Sequence, residues 1–355
     1  MTDSGAILVT GVAGFWGFRL AARLLDLPGH HVIGLDTQRP ARELDGLDFI
    51  QADVRNPLLV ELLEVTGVST VCHLAFDETA RPREDAFDLN VMGTARVLRG
   101  CVQAGVRKAV LKSSIAVYGA RPGNPAFLEE DHALLGSRRT GTTRDLVEIE
   151  SFCDGFRHQH PDLVLTILRF PSIVGPEADT PMTRFLKEPA APSLLGFDPM
   201  MQLIHEDDVV EALAHAVFHD APGAYNVAAK DALPLNKIRA LAGKPPLAIF
   251  HPLAYRGANL LRSVGLSAGR YLPIEPDYLR YPWVGDLARM REDLGFAPRF
   301  TTEETLREFA EVHGTGRFRE GSLSLAREEE RLRAIIEQRR ASATAPIGRE
   351  GGDDE

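Results

Sequence analysis

The stretch AILVTGVAGFWGFRLAARLL, Ala6 to Leu25, constrains the fold most. An apolar run rich in β-formers ends in glycines, and Phe15 to Leu25 then continues with helical spacing. That is a strand, a tight turn and a helix. The pattern recurs: strands are predicted over His31–Asp36, Asp48–Ala52, Thr70–Ala75 and Lys108–Lys112. Helices are predicted over Pro57–Val65, with proline in its first turn, and Ala86–Ala104. Near-continuous apolar strands alternating with helices imply an α/β fold, a parallel sheet covered on both faces.

Gly11, Gly14 and Gly17 stand at three-residue steps in the turn TGVAGFWG. Glycine lets the backbone turn sharply and approach a pyrophosphate, which then rests on the free N–H groups of the following helix. An acidic residue about twenty positions further on would bond the adenosine ribose. Asp36 stands there, closing the second strand. Its carboxylate would repel a 2′-phosphate, which favours NAD over NADP, although Arg39 and Arg42 follow closely. Read without the glycines, Asp36 is an ordinary strand-ending turn residue.

With 355 residues the chain suffices for one large domain or two lobes. Its net charge of −10 argues against a nucleic-acid binder, while leaving local basic pockets open. Cys72, Cys101 and Cys153 are too far apart for a CxxC pair, which fits a reduced cytoplasmic protein with no metal site. The N-terminal MTDSGAILVT lacks the pattern of a signal peptide, and no apolar run reaches the length of a membrane span.

Further segments follow in order: Asp53-Val54, HLA (73–75), NVMGT (90–94), SSIAVYG (113–119), LRFPSIVGP (168–176), IHEDDVVEAL (204–213), YNVAA (225–229) and LGFAPRFTTEETLREF (294–309). With the glycine turn they resemble the extended short-chain dehydrogenase/reductase superfamily, in its NAD-dependent epimerase/dehydratase branch, from about Ile7 to about Glu311. The resemblance implies a Rossmann-type doubly wound parallel sheet over 1–170 and 205–230, with a smaller C-terminal substrate lobe from 171–204 and 231–314. Residues 315–355 exceed what the family needs. Leu325, Leu332, Ile335 and Ile336 fall roughly on one face of a possible helix, and ATAPIGREGGDDE reads as disordered.

The resemblance also assigns residues. Cofactor contacts fall on Gly11, Gly14, Phe15, Trp16, Gly17, Asp36, Asp53, Val54, Leu74, Ala75, Asn90, Arg144 and Phe170, with the Asp53-Val54 pair at the adenine. Ser114 takes the position of the serine that polarises a substrate hydroxyl or carbonyl. The usual Y-G-x-S-K-x-x-x-E becomes TGTTRDLVE, which puts Thr140 at the tyrosine, Arg144 at the lysine and Glu148 at the glutamate. A threonine hydroxyl has no accessible anion near neutral pH, and a guanidinium does not deprotonate. The standard acid/base pair is therefore expected to be absent.

Tyr118 remains as a packing, cofactor-side or substrate-side residue, and His132 and His205 read as surface or core-edge histidines. Arg138, Arg139 and Arg144, with Arg81 and Arg83, form either a diphosphate or carboxylate contact or a solvated helix start. Tyr255–Leu266 has helical spacing that suits lobe core, a pocket wall or a docking face. The expected partners are a small-molecule substrate, such as a nucleotide diphosphate sugar, and a second copy of the chain. A non-catalytic dinucleotide-binding sensor or structural subunit is the other function class that fits.

Overall fold

A computed structural model describes residues 5–78, 84–137, 141–245, 247–250, 275–313 and 332–333. Thr140, Arg138, Arg139, Arg81, Arg83, Tyr255–Leu266, Leu325, Ile335, Ile336 and the acidic tail lie outside them. Contacts separate Met1–Thr315 from Gly316–Glu355, and of the second unit Leu332 and Arg333 are described, both helical and exposed.

The strands are β1 (Ala6–Thr10), β2 (Val32–Asp36), β3 (Asp48–Gln51), β4 (Val68–His73), β5 (Lys108–Ser114), β6 (Val164–Phe170), β7 (Ser172–Val174), β8 (Pro192–Leu194), β9 (Met200–His205), β10 (Gly223–Asn226), β11 (Ala232–Pro234) and β12 (Leu247–Ile249). The helices are α1 (Phe15–Leu25), α2 (Leu59–Val65), α3 (Glu84–Phe87), α4 (Gly93–Gln103), α5 (Gly141–Gln159), α6 (Pro181–Lys187), α7 (Glu206–Phe218), α8 (Leu235–Leu241), α9 (Ala288–Glu292) and α10 (Thr302–Val312).

Seven strands form one sheet in the order β10-β6-β5-β4-β1-β2-β3. Every pairing within it is parallel. β1 is the first strand in the chain, yet it lies between β2 and β4, so the winding reverses there. The crevice outside the carboxyl ends of β1 and β4 is the place where such sheets bind ligands. Apolar side chains fill both faces, with Leu20, Leu24 and Leu213 on one and Leu63, Leu98 and Phe156 on the other.

One difference from the expected elements bears on the site. The single helix expected over Ala86–Ala104 is interrupted by a π-helical turn at Asp88–Met92, which contains Asn90. Such turns frequently accompany functional positions. α7 begins at Glu206 because His205 caps it, its Nδ1 accepting from the Asp207 N–H at 3.1 Å. Asp208 is fully buried and accepts from the Arg299 and Phe300 backbone N–H groups, both at 3.0 Å, so it anchors the closing segment.

α7 also braces α1: Arg19 pairs with Glu206 and Asp207, and Arg23 with Glu211. Beyond β6, small elements gather around a separate apolar cluster that includes Phe185, Leu203, Leu235, Ile238 and Phe309. Among the described residues no helix is long and apolar enough to cross a membrane.

Candidate functional site

β1 delivers the glycine turn to the crevice. Gly11 has a φ of +73°, a conformation that disfavours side chains, and an added Cβ would lie 2.5 Å from the Leu74 carbonyl oxygen. Gly17 packs more tightly still, since a Cβ there would come within 2.1 Å of the Gly11 carbonyl oxygen. At Gly14, by contrast, the one described atom within 4 Å of an added Cβ is that same oxygen, at 3.2 Å. Gly14 caps α1 with no side-chain hydrogen bond, and no acidic residue occupies the first turn of this 11-residue helix. The glycines thus hold the turn against β4 and leave its outer side and the helix N–H groups suited to a pyrophosphate.

Asp36 completes this cradle. Its Oδ2 accepts the Ala13 N–H at 3.0 Å and its Oδ1 the Gln38 N–H at 3.1 Å, so the carboxylate at the end of β2 is fixed against the turn. Arg39 instead lies over the Phe49 ring, at 5.9 Å from its centroid. Asp53 is gripped by Arg55 at both oxygens, 2.9 and 2.6 Å, and this fork holds its carboxyl below the usual carboxylate range. Its side chain is consequently engaged within the protein, and Val54 beside it is buried.

β4 ends in a fully buried His73 whose ring joins Thr10 (2.7 Å) to Thr94 (3.1 Å). Burial pushes His73 down to about 3, so it stays neutral and serves as a strut. Leu74 donates to the Thr10 hydroxyl at 3.1 Å, as Ala75 does more weakly at 3.4 Å, so the segment lies close along β1. Asn90 is held from three sides: its Oδ1 accepts from the Asp77 N–H at 2.8 Å, and its Nδ2 donates to the Asp77 carbonyl (3.0 Å) and to Asp145 (2.9 Å).

A cavity of about 290 Å³ lies at this edge of the sheet, and Trp16, Asn90, Ser114 and Phe170 are among the residues that line it. Ser114 ends β5, and its Oγ accepts the Ala116 N–H at 3.2 Å. The face of α5 turned to the cavity carries Thr142, Thr143, Asp145, Leu146 and Ile149. Arg144 is not on that face. Its guanidinium donates twice to Asp145, at 2.9 and 2.7 Å, and stacks 5.0 Å from the Phe87 ring.

The glutamate of α5 that is buried is Glu150, two residues beyond Glu148. It pairs with Arg169 of β6 at 2.5 Å and accepts from Ser113 at 2.5 Å. Counting back from Glu150 with the spacing of Y-x-x-x-K-x-x-x-E reaches Thr142 and Leu146, both of which line the cavity. On either count the sequence has neither a phenol nor an ammonium at those two positions. Gly141 sets the first register, and the ion pair from Glu150 across to β6 marks the second.

Tyr118 does not reach the cavity. It is fully buried, its hydroxyl donates to Asn226 at 2.8 Å and accepts from Arg169 at 2.6 Å, and burial pushes it up to about 12. A substrate contact there would require unpacking the core. His132 sits edge-on to the same ring at 6.0 Å, and His205 is stacked on Phe300 at 3.9 Å. Among the described lining residues the phenol is Tyr278, which donates to the Ala116 carbonyl at 3.0 Å. Burial raises it above the usual phenol range, as do Glu275 and Asp277.

Sequence reasoning also missed Lys112, which lines the cavity and pairs with Glu78 at 2.6 Å, and Arg184, bound by Asp179 at 2.7 and 2.9 Å. Lys112 was discoverable, since strand periodicity places it on the same face of β5 as Ser114. The three cysteines are free and buried, and burial pushes Cys101 up to about 12. The described residues include no group of three or more His, Cys, Asp or Glu side chains placed to hold a metal ion.

Comparison with known proteins agrees with this architecture. The profile of the NAD dependent epimerase/dehydratase family matches residues 7–228. An uncharacterized protein of Mycobacterium bovis, Mb0513, is 33% identical over 87% of this chain and 84% of its own length. MoeE5, solved with UDP-glucuronic acid and NAD, superposes with a TM-score of 0.67 at 25% identity, covering 87% of this chain and 98% of that one. UDP-glucose 4-epimerase of Thermotoga maritima, solved with UDP-glucose, gives 0.66 at 19% identity over 86% and 98%, a likeness of fold. With a profile match over more than half its length and a relative at 33% identity across most of it, this chain belongs to the NAD dependent epimerase/dehydratase family.

Proposed function

We propose that the chain binds NAD in the crevice between β1 and β4 and presents to it a nucleotide diphosphate sugar or another hydroxyl/keto substrate, with an atypical acid/base set. One observation carries this reading: Trp16 of the phosphate turn and Ser114 at the end of β5 line the same cavity. The turn from Gly11 to Gly17, with Phe15, holds the pyrophosphate, and Asp36 bonds the adenosine ribose. Val54, and Asp53 through its backbone, border the adenine. Leu74, Ala75, Asn90 and Phe170 border the remainder of the cofactor. NAD, when bound, supplies the hydride acceptor or donor.

Ser114 donates its hydroxyl to the reacting substrate oxygen, while the rings of Trp16 and Phe170 keep water from it. A serine alone polarises the oxygen and does not take its proton at neutral pH. Tyr278, the phenol among the described lining residues, is held above the usual phenol range and donates to the Ala116 carbonyl, so it does not take that proton either. The same reading implies a cytoplasmic homodimer with α4 and α5 at its interface.

The test is to mix NAD-loaded protein with a panel of UDP- and dTDP-sugars and secondary alcohols, following nicotinamide absorbance. Appearance of reduced nicotinamide with at least one member is expected. No change across the panel would sink the enzymatic reading. It would favour instead a non-catalytic NAD-binding sensor or subunit, the reading to which Thr142 and Leu146 on the cavity face of α5 lend weight.

A further inference from the structure

The α5 residues that line the cavity include no cation, yet the cavity contains one that no helix supplies. Lys112 lies on β5, two residues before Ser114, and alternation along a strand puts the two side chains on one face. Its Nζ is 2.6 Å from Glu78 and 5.4 Å from the centroid of the Trp16 ring, and its side chain is 12% exposed. Trp16 belongs to the first turn of α1, directly after the glycine turn. The ammonium therefore sits between the element suited to the pyrophosphate and the serine suited to the reacting oxygen.

We propose that Lys112 binds the ribose–phosphate on the nicotinamide side of the dinucleotide, and that Glu78 is the counter-ion holding it in place when no ligand is bound. This rests on the NAD-binding reading above and adds a residue to it. Three features support the assignment. An ammonium has three N–H donors, and the hydrogen bond to Glu78 uses one. Glu78 is 48% exposed, so the pair is readily exchanged for a ligand anion or hydroxyl. The other cation lining the cavity among the described residues, Arg184, is already engaged by Asp179 through a two-point fork.

The experiment is calorimetric titration of wild type, K112M and K112R with AMP, ADP-ribose and NAD. K112M is expected to weaken ADP-ribose and NAD by about 10- to 100-fold, the value of a charge-assisted hydrogen bond, and to leave AMP within about twofold. K112R is expected to recover part of the loss. Wild-type protein offers a second measurement that needs no variant: NAD and ADP-ribose, but not AMP, should protect Lys112 from reductive methylation, read by mass spectrometry.

Unchanged NAD affinity in K112M, or equal weakening of AMP and NAD, would overturn the assignment while leaving the NAD site intact. Methylation of Lys112 that NAD does not slow would do the same. Failure of wild type to bind NAD at all would instead overturn the reading on which the assignment rests.

Discussion

Replacing Arg169 by methionine is expected to destabilise the folded chain by about 3–5 kcal/mol, the cost of leaving one member of a buried ion pair alone. Arg169 and Glu150 have side chains 5% and 2% exposed, and their contact of 2.5 Å joins β6 to α5. The guanidinium also donates to the Tyr118 hydroxyl (2.6 Å) and to the Glu130 carbonyl (2.8 Å), so its loss leaves several buried acceptors without a donor. The second variant matters more than the first. R169M combined with E150M removes both charges, and stability should return part of the way to wild type, since the Glu130 carbonyl, the Tyr118 hydroxyl and Ser113 still lose a partner. Urea denaturation of the two single variants and the double variant measures this; a double variant as unstable as the sum of the singles would show that the pair is not an isolated energetic unit.

The next largest effect is expected at Gly17. An alanine there brings its Cβ to 2.1 Å from the Gly11 carbonyl oxygen and 2.7 Å from its carbon, both backbone atoms that cannot rotate away. The turn and α1 must separate, at a cost of about 3 kcal/mol, with loss of NAD affinity because the cradle opens. Gly14→Ala is the contrast. Its contact with the same oxygen is 3.2 Å, which a small shift relieves, so a cost of about 1 kcal/mol is expected. Differential scanning calorimetry distinguishes them, and equal melting temperatures for the two variants would contradict the packing argument.

The first half of the fold was legible because its signals are local. Ala6–Thr10 and Phe15–Leu25 form the strand and helix that apolar spacing and glycines announce, with the same boundaries. Asp36 closes β2 at the expected place and accepts from Ala13 of the glycine turn. What stayed hidden depends on contacts between distant elements. Helical spacing alone does not say which face of α5 meets the cavity; that is decided by Glu150 reaching Arg169, 19 positions away. Tyr118 lies in a motif associated with cofactor binding, but its burial follows from Asn226 and Arg169, which approach from other strands. The π-helical turn at Asn90 likewise answers to Asp77 and Asp145, neither of which its own helix supplies.

The structure sets a glycine turn and Asp36 suited to a dinucleotide beside a helix α5 whose cavity face lacks a phenol and an ammonium. The glycine turn and Asp36 are expected to bind the cofactor. The most direct measurement is calorimetric titration of the purified protein, freed of any co-purified nucleotide, with NAD, NADH, NADP and NADPH. Binding of NAD and NADH at least about tenfold tighter than their 2′-phosphorylated counterparts is expected, since Asp36 repels the added phosphate. Binding of none of the four would contradict the account, because it would mean that the turn from Gly11 to Gly17 is retained for packing alone.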